Sequence, residues 1–231
     1  MIKDRIADVL KEVEARCRKS NRNPSEVTLI AVSKTKPLAM IEEAMACGQT
    51  EFGENKVQEM CEKASQLEGG AVNWHLIGHL QSNKVKKAVA VAGLIHSVDS
   101  LALAQEIDKQ AGKIGKCQDI LLEVNVADEK SKFGIRPEDV LPLVREVAQL
   151  KNIRLRGLMT VAPYTDDAET NRPYFRTMHD LMVDINQKNI NNISVDVLSM
   201  GMSGDYGVAV EEGATHIRVG TYLFGERDYT K

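Results

Sequence analysis

Residues 27–48 read VTLIAVSKTKPLAMIEEAMACG, and this stretch contains the unit from which the fold is predicted. Residues 27–32 are rich in β-branched side chains and almost continuously apolar, which is typical of a buried parallel strand. Pro37 suits the first turn of a helix and Gly48 its end, so a helix is predicted over residues 37–47. A strand followed directly by a helix is the repeating unit of parallel α/β folds.

The same alternation of strand and helix continues to the end of the chain. Seven further strands are predicted from short apolar runs, at residues 51–53, 73–77, 94–98, 119–126, 154–158, 195–199 and 215–219. One helix is predicted after Asn55, and the others over residues 83–91, 100–111, 137–150, 171–188 and 205–212. Four of these helices have predicted N-caps and one a first-turn proline: Asn55, Asn83, Ser100, Asn171 and Pro137.

An additional helix is predicted before the first strand, over residues 2–19, because Ile2, Ile6, Val9 and Val13 recur at helical spacing. Eight β/α units within one domain of 231 residues favour a closed barrel over an open doubly wound sheet. We therefore predict an α/β fold, a single (β/α)8 TIM-type barrel spanning residues 1–231 with an extra N-terminal helix. Functional residues of such barrels lie at the carboxyl ends of the strands and in the loops that follow.

Composition and charge argue against several classes of partner. The net charge of −3 gives no broad basic surface for nucleic acid or an anionic membrane, and no apolar run is long enough to span a bilayer. The charged N-terminal stretch lacks the apolar core of a signal peptide, so a cytoplasmic location is expected. The four cysteines and five histidines show no metal-ligand spacing, so no metal site is expected.

A lysine at the end of the first strand is the first candidate for chemistry. If the strand extends through Ser33-Lys34-Thr35-Lys36, side-chain alternation points Lys34 and Lys36 in the same direction. An inward lysine is costly in a core unless it is neutralised or paired, and a Schiff base with an aldehyde is one solution. Partial burial also lowers the pKa of a lysine and frees its amine for attack. The alternative is a lysine in a solvated loop.

Two loops near the end of the chain suit an anion. Residues 199–205 (SMGMSGD) follow a strand and open a helix, so their hydroxyl and backbone N–H groups can face a phosphate. Residues 218–221 (RVGT) lie at the end of the eighth strand, and barrel phosphate sites frequently use the loops after strands seven and eight. The alternative is that both are glycine-rich turns without a ligand.

Arg218 is predicted to face the barrel interior. A buried arginine needs a partner, and a pyridine nitrogen and a carboxylate are the two candidates. Because arginine stays protonated, contact with a pyridine nitrogen would disfavour a proton on the ring. The ring would then be a weaker electron sink than one paired with an aspartate.

Several ordered blocks of the sequence are similar to one known family. They are residues 31–37 (AVSKTKP), 52–55 (FGEN), 74–84 (WHLIGHLQSNK), 156–159 (RGLM), 198–203 (LSMGMS), 218–221 (RVGT), 224–225 (FG) and 227–229 (RDY). On these blocks the chain resembles the YggS / proline synthase co-transcribed family of pyridoxal phosphate homeostasis proteins. That family's fold is a barrel like the N-terminal domain of alanine racemase. One departure is His79, where some members carry proline.

The resemblance implies pyridoxal 5′-phosphate as the cofactor, held as a Schiff base on Lys34 with Lys36 as a neighbour. The implied cofactor-binding residues are Lys34, Asn55, His75, Met159, Ser199, Gly201, Met202, Ser203, Arg218, Gly220 and Thr221. Ser203, Gly220 and Thr221 resemble phosphate ligands, and Arg218 resembles the residue that approaches the pyridine nitrogen. Lys132 matches a second lysine associated with cofactor exchange, and a solvated loop charge is the alternative for it.

The resemblance also implies a role in cofactor homeostasis. The protein would hold pyridoxal phosphate reversibly, limit the free aldehyde and hand the cofactor to apoenzymes. A chain that stops at Lys231, just after the barrel, supports this expectation. We expect a monomer without robust catalytic activity.

Two enzymatic alternatives remain. An amino-acid racemase needs an acid/base group on each face of the α-carbon, and in alanine racemase a tyrosine from a separate β domain of the partner serves the second face. No tyrosine of this sequence has an evident place opposite Lys34, although Tyr206 lies near the phosphate loop, so at most a weak racemase activity is expected. The other alternative is a sugar-phosphate aldolase that uses a lysine Schiff base without a cofactor.

Overall fold

In a computed structural model of the chain, eight parallel strands close into a barrel in sequence order, the last pairing with the first. The structure describes residues 1–67, 72–129 and 133–226. The strands are β1 (Thr28–Val32), β2 (Glu51–Glu54), β3 (Asn73–Leu76), β4 (Leu94–Val98), β5 (Gln118–Glu123), β6 (Ile153–Met159), β7 (Val197–Met202) and β8 (His216–Val219). The predicted (β/α)8 barrel is confirmed.

Helices cover the outside of the barrel between consecutive strands. Within the described residues they are α1 (Ile2–Lys19), α2 (Leu38–Met45), α3 (Val57–Gln66), α4 (Val85–Val91), α5 (Leu101–Lys113), α6 (Pro137–Val147), α7 (Arg172–Gln187), α8 (Tyr206–Glu211) and α9 (Thr221–Phe224). The extra N-terminal helix is therefore confirmed as α1. None of the helices in these ranges is long and apolar enough to cross a membrane.

Strand alternation divides the buried side chains into two sets. One face of the strands packs under the helices in a large apolar cluster that includes Leu76, Ile95 and Leu198. The other face fills the barrel interior, where a small separate cluster contains Leu94, Leu121, Met159 and Val197. The interior also holds the buried polar side chains of His75, His96, Ser199 and Arg218, so it is not a uniformly apolar core.

Helix α1 packs against α8 and α9, the helices that follow the last two strands. Its buried face consists of Ile2, Ile6, Val9, Val13 and Cys17, which confirms the predicted apolar positions. On the edge of that face, Arg16 Nη1 lies 2.8 Å from Glu211 Oε1 on α8. The helix therefore supports the segment that follows β7.

Several predicted helix starts are wrong. The N-cap of α3 is Lys56 rather than Asn55, and Asn83 lies inside a short 3-10 helix, Ser82–Lys84, ahead of α4. Ser100 does cap α5, since its hydroxyl accepts the N–H of Leu103 at 3.4 Å. Asn171 occupies the N-cap position of α7, but its side chain makes no capping bond because it is used elsewhere.

Some predicted residues lie outside the described part of the chain. Lys132, the candidate second lysine, falls in the gap between residues 129 and 133. The block Arg227-Asp228-Tyr229 follows the last described residue. The predictions for these positions remain as stated.

Candidate functional site

A cavity of about 400 Å³ opens at the carboxyl ends of the barrel strands. Its volume is within the range of small-molecule sites, and its place is where barrel proteins carry their functional residues. It is lined by Val32, Lys34, Lys36, Ile77, Pro163, Tyr164, Thr165, Asn171, Met202, Ser203, Gly204, Asp205, Arg218, Gly220, Thr221 and Gly225. Residues from both ends of the sequence thus converge on one pocket.

Lys34 lies in the turn after β1 rather than in the strand itself. The strand ends at Val32, and the N–H of Lys36 bonds the oxygen of Ser33 at 3.0 Å. Thr35 has a left-handed φ of 63°, which is uncommon for a β-branched residue. Lys34 and Lys36 are both half-buried and both line the cavity, so they converge through this turn and not through strand alternation.

A buried charge network fixes this turn from behind. Lys63 Nζ, on α3, lies 2.7 Å from both Glu54 Oε1 and Glu59 Oε1. It also donates to the main-chain oxygen of Ser33 at 2.8 Å. Glu59 Oε1 in turn accepts the N–H of Thr35 at 2.6 Å. Three side chains that do not line the cavity thereby hold the main chain on both sides of the lysine.

Glu54 is the most deeply buried member of this network. Its side chain is fully buried, and Oε1 accepts a hydrogen bond from the Ser33 hydroxyl at 2.7 Å as well as the Lys63 contact. Burial raises the pKa of Glu54, which the bonds from Lys63 and Ser33 oppose. The charge of Lys63 is therefore needed to keep this carboxylate in place.

Asp205 shapes the loop between β7 and α8. Its Oδ1 accepts the N–H of Met202 at 2.7 Å, and its Oδ2 accepts Nδ2 of Asn171 at 2.9 Å. Asn171 also donates to the main-chain oxygen of Pro163 at 2.9 Å. The loop that carries Ser203 is thus tied to the loop after β6, and both line the cavity.

The segment after β8 approaches β1 closely. A Cβ atom at Gly220 would lie 3.2 Å from both Cβ and the main-chain oxygen of Val32, so a larger residue would push the two apart. Lys36 Nζ donates to the main-chain oxygens of Gly225 at 2.9 Å and Glu226 at 2.7 Å. Lys36 therefore holds the final segment against the turn that carries Lys34.

Arg218 brings a buried cation to the cavity. As predicted, it faces the barrel interior, where only 4% of its surface is exposed. Its Nη1 donates to Ser199 Oγ at 2.6 Å and its Nη2 to the main-chain oxygen of Thr160 at 2.7 Å. Burial lowers the pKa of Arg218 to about 10, which still leaves it charged at neutral pH.

The structure brings together only some of the predicted site residues. Lys34, Met202, Ser203, Arg218, Gly220 and Thr221 line the cavity, whereas Asn55, His75, Met159, Ser199 and Gly201 do not. The predicted boundary of β7 is wrong, because the strand runs from Val197 to Met202. Ser199 and Gly201 therefore belong to the strand and not to the loop after it. Ser199 is fully buried in the barrel and reaches the cavity only through Arg218.

Sequence reasoning missed Glu123 and the loop after β6. Glu123 ends β5, where burial and the neighbouring Asp99 raise the pKa of its carboxyl group to about 7, against the opposing effect of Arg218. A charged residue that closes the apolar run ILLE was the available signal. Tyr164 and its two neighbours line the cavity, and nothing in the pattern of that loop indicated this. Within the residues described, no group of three His, Cys, Asp or Glu side chains is arranged to hold a metal.

Comparisons with known proteins cover nearly the whole chain. A family model for the alanine racemase N-terminal domain matches residues 8–228. A relative from Aquifex aeolicus, called pyridoxal phosphate homeostasis protein, is 42% identical over 226 residues that make up 98% of each chain. The solved structure of PipY from Synechococcus elongatus PCC7942 without pyridoxal phosphate matches with a TM-score of 0.87 and 41% identity, over 97% of this chain and 100% of PipY. PipY with pyridoxal phosphate bound matches with a TM-score of 0.85, 40% identity and the same coverage.

Proposed function

This chain belongs to the alanine racemase N-terminal domain family, among the pyridoxal phosphate homeostasis proteins, and on that premise we propose that it binds pyridoxal 5′-phosphate and acts in intracellular cofactor homeostasis. The observation that carries the proposal is the convergence of Lys34, Arg218 and the two hydroxyl- and glycine-bearing loops on one cavity. Each of these groups matches one part of the cofactor. The parts are an aldehyde, a pyridine ring and a phosphate.

The residues present fit this cofactor. A cavity of about 400 Å³ is large enough for a small aromatic phosphate, and its lining combines two amines, a guanidinium, four hydroxyls and three glycines. The Arg218 guanidinium is buried and less mobile than a lysine ammonium, so it is already positioned to contact a ring or an anion. When bound, pyridoxal phosphate supplies an electrophilic aldehyde and an electron-accepting ring.

Lys34 is the proposed attachment point. Its amine would hold the aldehyde of the cofactor as a Schiff base. The turn that carries the lysine is fixed by Lys63 and Glu59 through the main chain of Ser33 and Thr35. This fixed main chain supports an amine that is held at the wall of the cavity before the aldehyde arrives.

The proposed phosphate site lies across the cavity. Ser203 and Gly204 precede α8, Gly220 and Thr221 lie at the start of α9, and all four line the cavity. Serine and threonine hydroxyls together with glycine N–H groups are the donors that phosphate sites use at this end of a barrel. The bonds of Asp205 to Met202 and Asn171 keep the first of these loops in shape.

Arg218 is the proposed partner of the pyridine nitrogen. Since its guanidinium is a donor only and stays charged, it favours a ring nitrogen that carries no proton. A ring of that kind stabilises a carbanion poorly. This property suits a protein that stores or carries the cofactor better than one that processes amino acids.

The proposal extends to carriage by a monomer. The rim of the cavity is open, with Tyr164 92% exposed and Met202 36% exposed. An open rim allows the cofactor to leave toward an apoenzyme without unfolding of the barrel. Light scattering on the purified chain should give a mass near 25.6 kDa.

A racemase of low activity is the weaker candidate. Tyr206 was the tyrosine that the sequence placed near the phosphate loop. It lines another groove, beside α1, together with Glu12 and Arg16. Tyr164 is the tyrosine that lines the cavity with Lys34, but it lies on the solvent-exposed rim. A fully exposed phenol lacks the burial that prepares a catalytic acid or base.

A titration of the cofactor-free chain tests the proposal. Pyridoxal phosphate should produce a saturable visible absorption band, and pyridoxal, which lacks the phosphate, should do so only at much higher concentration. A sugar phosphate should produce no visible band. A chain that stays colourless with pyridoxal phosphate but reacts with a sugar phosphate would move the aldolase alternative ahead.

A further inference from the structure

A chain of buried side chains crosses the barrel interior from Arg218 to the opposite mouth. Arg218 Nη1 lies 2.6 Å from Ser199 Oγ, and Ser199 Oγ lies 2.9 Å from Nδ1 of His96. The Nε2 atom of His96 lies 2.9 Å from Nδ1 of His75, and Nε2 of His75 lies 2.6 Å from Oε2 of Glu51. Four hydrogen bonds thus connect the cavity to the amino-terminal end of β2.

The five members of this chain come from five strands, and four of them are closed off from water. Ser199 and His96 are fully buried, His75 is 1% exposed, and only Glu51 reaches the solvent, with 26% of its side chain exposed. Glu51 Oε2 also accepts Nδ2 of Asn73 at 2.7 Å. Buried polar groups of this kind are tolerated because each has a partner.

Donor and acceptor capacities fix the direction of the chain. Arginine only donates, so Ser199 accepts from Arg218 and its hydroxyl proton is left for Nδ1 of His96. His96 then carries its proton on Nε2 and donates to Nδ1 of His75, which donates from Nε2 to the Glu51 carboxylate. The reverse order would leave the Ser199 hydroxyl proton without an acceptor among the described residues.

The electrostatic setting agrees with this direction. Burial, together with the charges of His75, His216 and Arg218, keeps the pKa of His96 well below its usual value, so its ring is neutral. Although burial alone would raise the pKa of Glu51, hydrogen bonds from His75 and Asn73 lower it overall, so it is ionised. A cation at one end and an anion at the other polarise every bond between them in the same sense.

Arg218 needs such compensation. None of the ion pairs between described residues includes it, and its two direct partners, Ser199 and the oxygen of Thr160, are neutral. Burial lowers the pKa of Arg218, and the carboxylates of Asp205 and Glu123 oppose this effect from a distance, without a hydrogen bond to the guanidinium. The carboxylate that Arg218 reaches through hydrogen bonds is that of Glu51.

We propose that Ser199, His96, His75 and Glu51 are positioning residues for the cofactor ring, which act through Arg218. They fix the guanidinium with one edge bound in the barrel and its remaining N–H groups toward the cavity. Because arginine does not release its proton, the chain orients and polarises, and it does not deliver protons. The role of these residues in positioning the cofactor ring rests on the proposed function. The direction in which their hydrogen bonds are donated does not.

The direction is tested on the cofactor-free protein by ¹⁵N spectra of the histidine rings. We expect His75 and His96 both to carry a proton on Nε2, and the Nδ1 atom of His96 to carry none. In Ser199→Ala, the ring signals of His96 should shift because its Nδ1 loses the hydroxyl donor. A wild-type His96 that carries its proton on Nδ1 would overturn the assigned direction and the proposal.

The role toward the ring is tested by the absorption maximum and affinity of bound pyridoxal phosphate. Ser199→Ala and His96→Leu should each shift the maximum and weaken binding about twofold to a hundredfold, the range of couplings within one hydrogen-bond network. His96→Gln, whose amide both accepts and donates, should restore most of the affinity. Glu51→Gln keeps the acceptor but removes the charge, so it should shift the maximum with a smaller loss of affinity.

Ser97→Ala is the matched control. Ser97 follows His96 on β4 and is fully buried, yet its hydroxyl takes no part in the hydrogen-bonded chain from Arg218 to Glu51 and has no hydrogen-bond partner. It should leave the maximum and the affinity unchanged. If the chain variants behave like Ser97→Ala while the wild type binds pyridoxal phosphate, the positioning role is refuted. A wild-type protein that binds no pyridoxal phosphate would refute the proposed function and the role toward the ring, and the histidine spectra would still decide the direction.

Discussion

Lys63 Nζ donates a hydrogen bond of 2.8 Å to the main-chain oxygen of Ser33, the residue that precedes the proposed Schiff-base lysine. The same ammonium pairs with the buried Glu54 and with Glu59, which accepts the N–H of Thr35 on the other side of Lys34. A charge network that never lines the cavity therefore holds the turn that does.

Removal of the Lys63 ammonium should lower the stability of the folded protein. Lys63→Met leaves Glu54 buried without its cation, and the loss of one partner of a buried ion pair costs about 3–5 kcal/mol. Lys86→Met on the exposed face of α4 is the control and should change stability by less than about 0.5 kcal/mol. Urea unfolding of the cofactor-free proteins measures both, and equal midpoints would contradict the network's role.

The phosphate loop makes a separate prediction. Ser203→Ala should weaken binding of pyridoxal phosphate by about 1.5–3 kcal/mol, the worth of one hydrogen bond to a charged group. Binding of pyridoxal, which has no phosphate, should not change. Ser65→Ala, on the exposed surface of α3, serves as control in the same absorption titration. An unaltered affinity in Ser203→Ala would remove this hydroxyl from the site.

Glu123 predicts a specific dependence of stability on pH. Burial and Asp99 raise the pKa of its carboxyl from 4.5 to about 7 in the folded protein, so the folded state binds a proton that the unfolded state releases earlier. This contribution to stability is full below pH 4.5 and is lost as the pH rises through about 7. Glu123→Gln should not show this loss of stability. The free energy of unfolding of the wild type should therefore fall by about 2–3 kcal/mol more than that of the variant across this interval.

The measurement for Glu123 is denaturant unfolding at several pH values. Glu146→Gln, at an exposed position of α6, should follow the wild type over the whole interval. If Glu123→Gln loses stability from pH 4.5 to 7 as steeply as the wild type does, the carboxyl does not titrate near 7.

Amino-acid turnover should be weak. Incubation of the loaded protein with L-alanine is expected to give little D-alanine, because Tyr164, which shares the cavity with Lys34, is an exposed phenol. Any residual activity should fall in Tyr164→Phe and persist in Tyr174→Phe, whose side chain does not line the cavity. Rapid racemisation by the wild type would favour the enzymatic alternative.

The alternation of strand and helix made the barrel predictable, but it could not set every boundary. Residues 199–202 (SMGM) look like a loop because they contain glycine and serine, yet pairing with β8 extends β7 through Met202, with an irregular register. Gly201 adopts a left-handed φ of 88° within that strand. Tertiary pairing overrode the local preference for a turn.

The charged and hydroxyl groups of the site were predictable from the sequence, but the residues that hold them in place were not. Lys34, Ser203 and Arg218 stand next to glycines or strand ends, which is a signal that one sequence carries. Lys63 is on the buried face of α3, where the spacing predicts an apolar residue, so only the structure reveals its role. His75 and His96 are likewise joined only by the pairing of β3 with β4, because their strands must first be placed side by side.

The central claim is that Lys34 forms the covalent bond to pyridoxal phosphate. Borohydride reduction of the loaded protein, followed by peptide mass mapping, tests it most directly. The adduct should lie on the peptide that contains Lys34, and Lys34→Ala should yield none, while Lys36→Ala should still be modified at Lys34. An adduct of equal yield on Lys36, Lys132 or another lysine in the Lys34→Ala protein would contradict the claim.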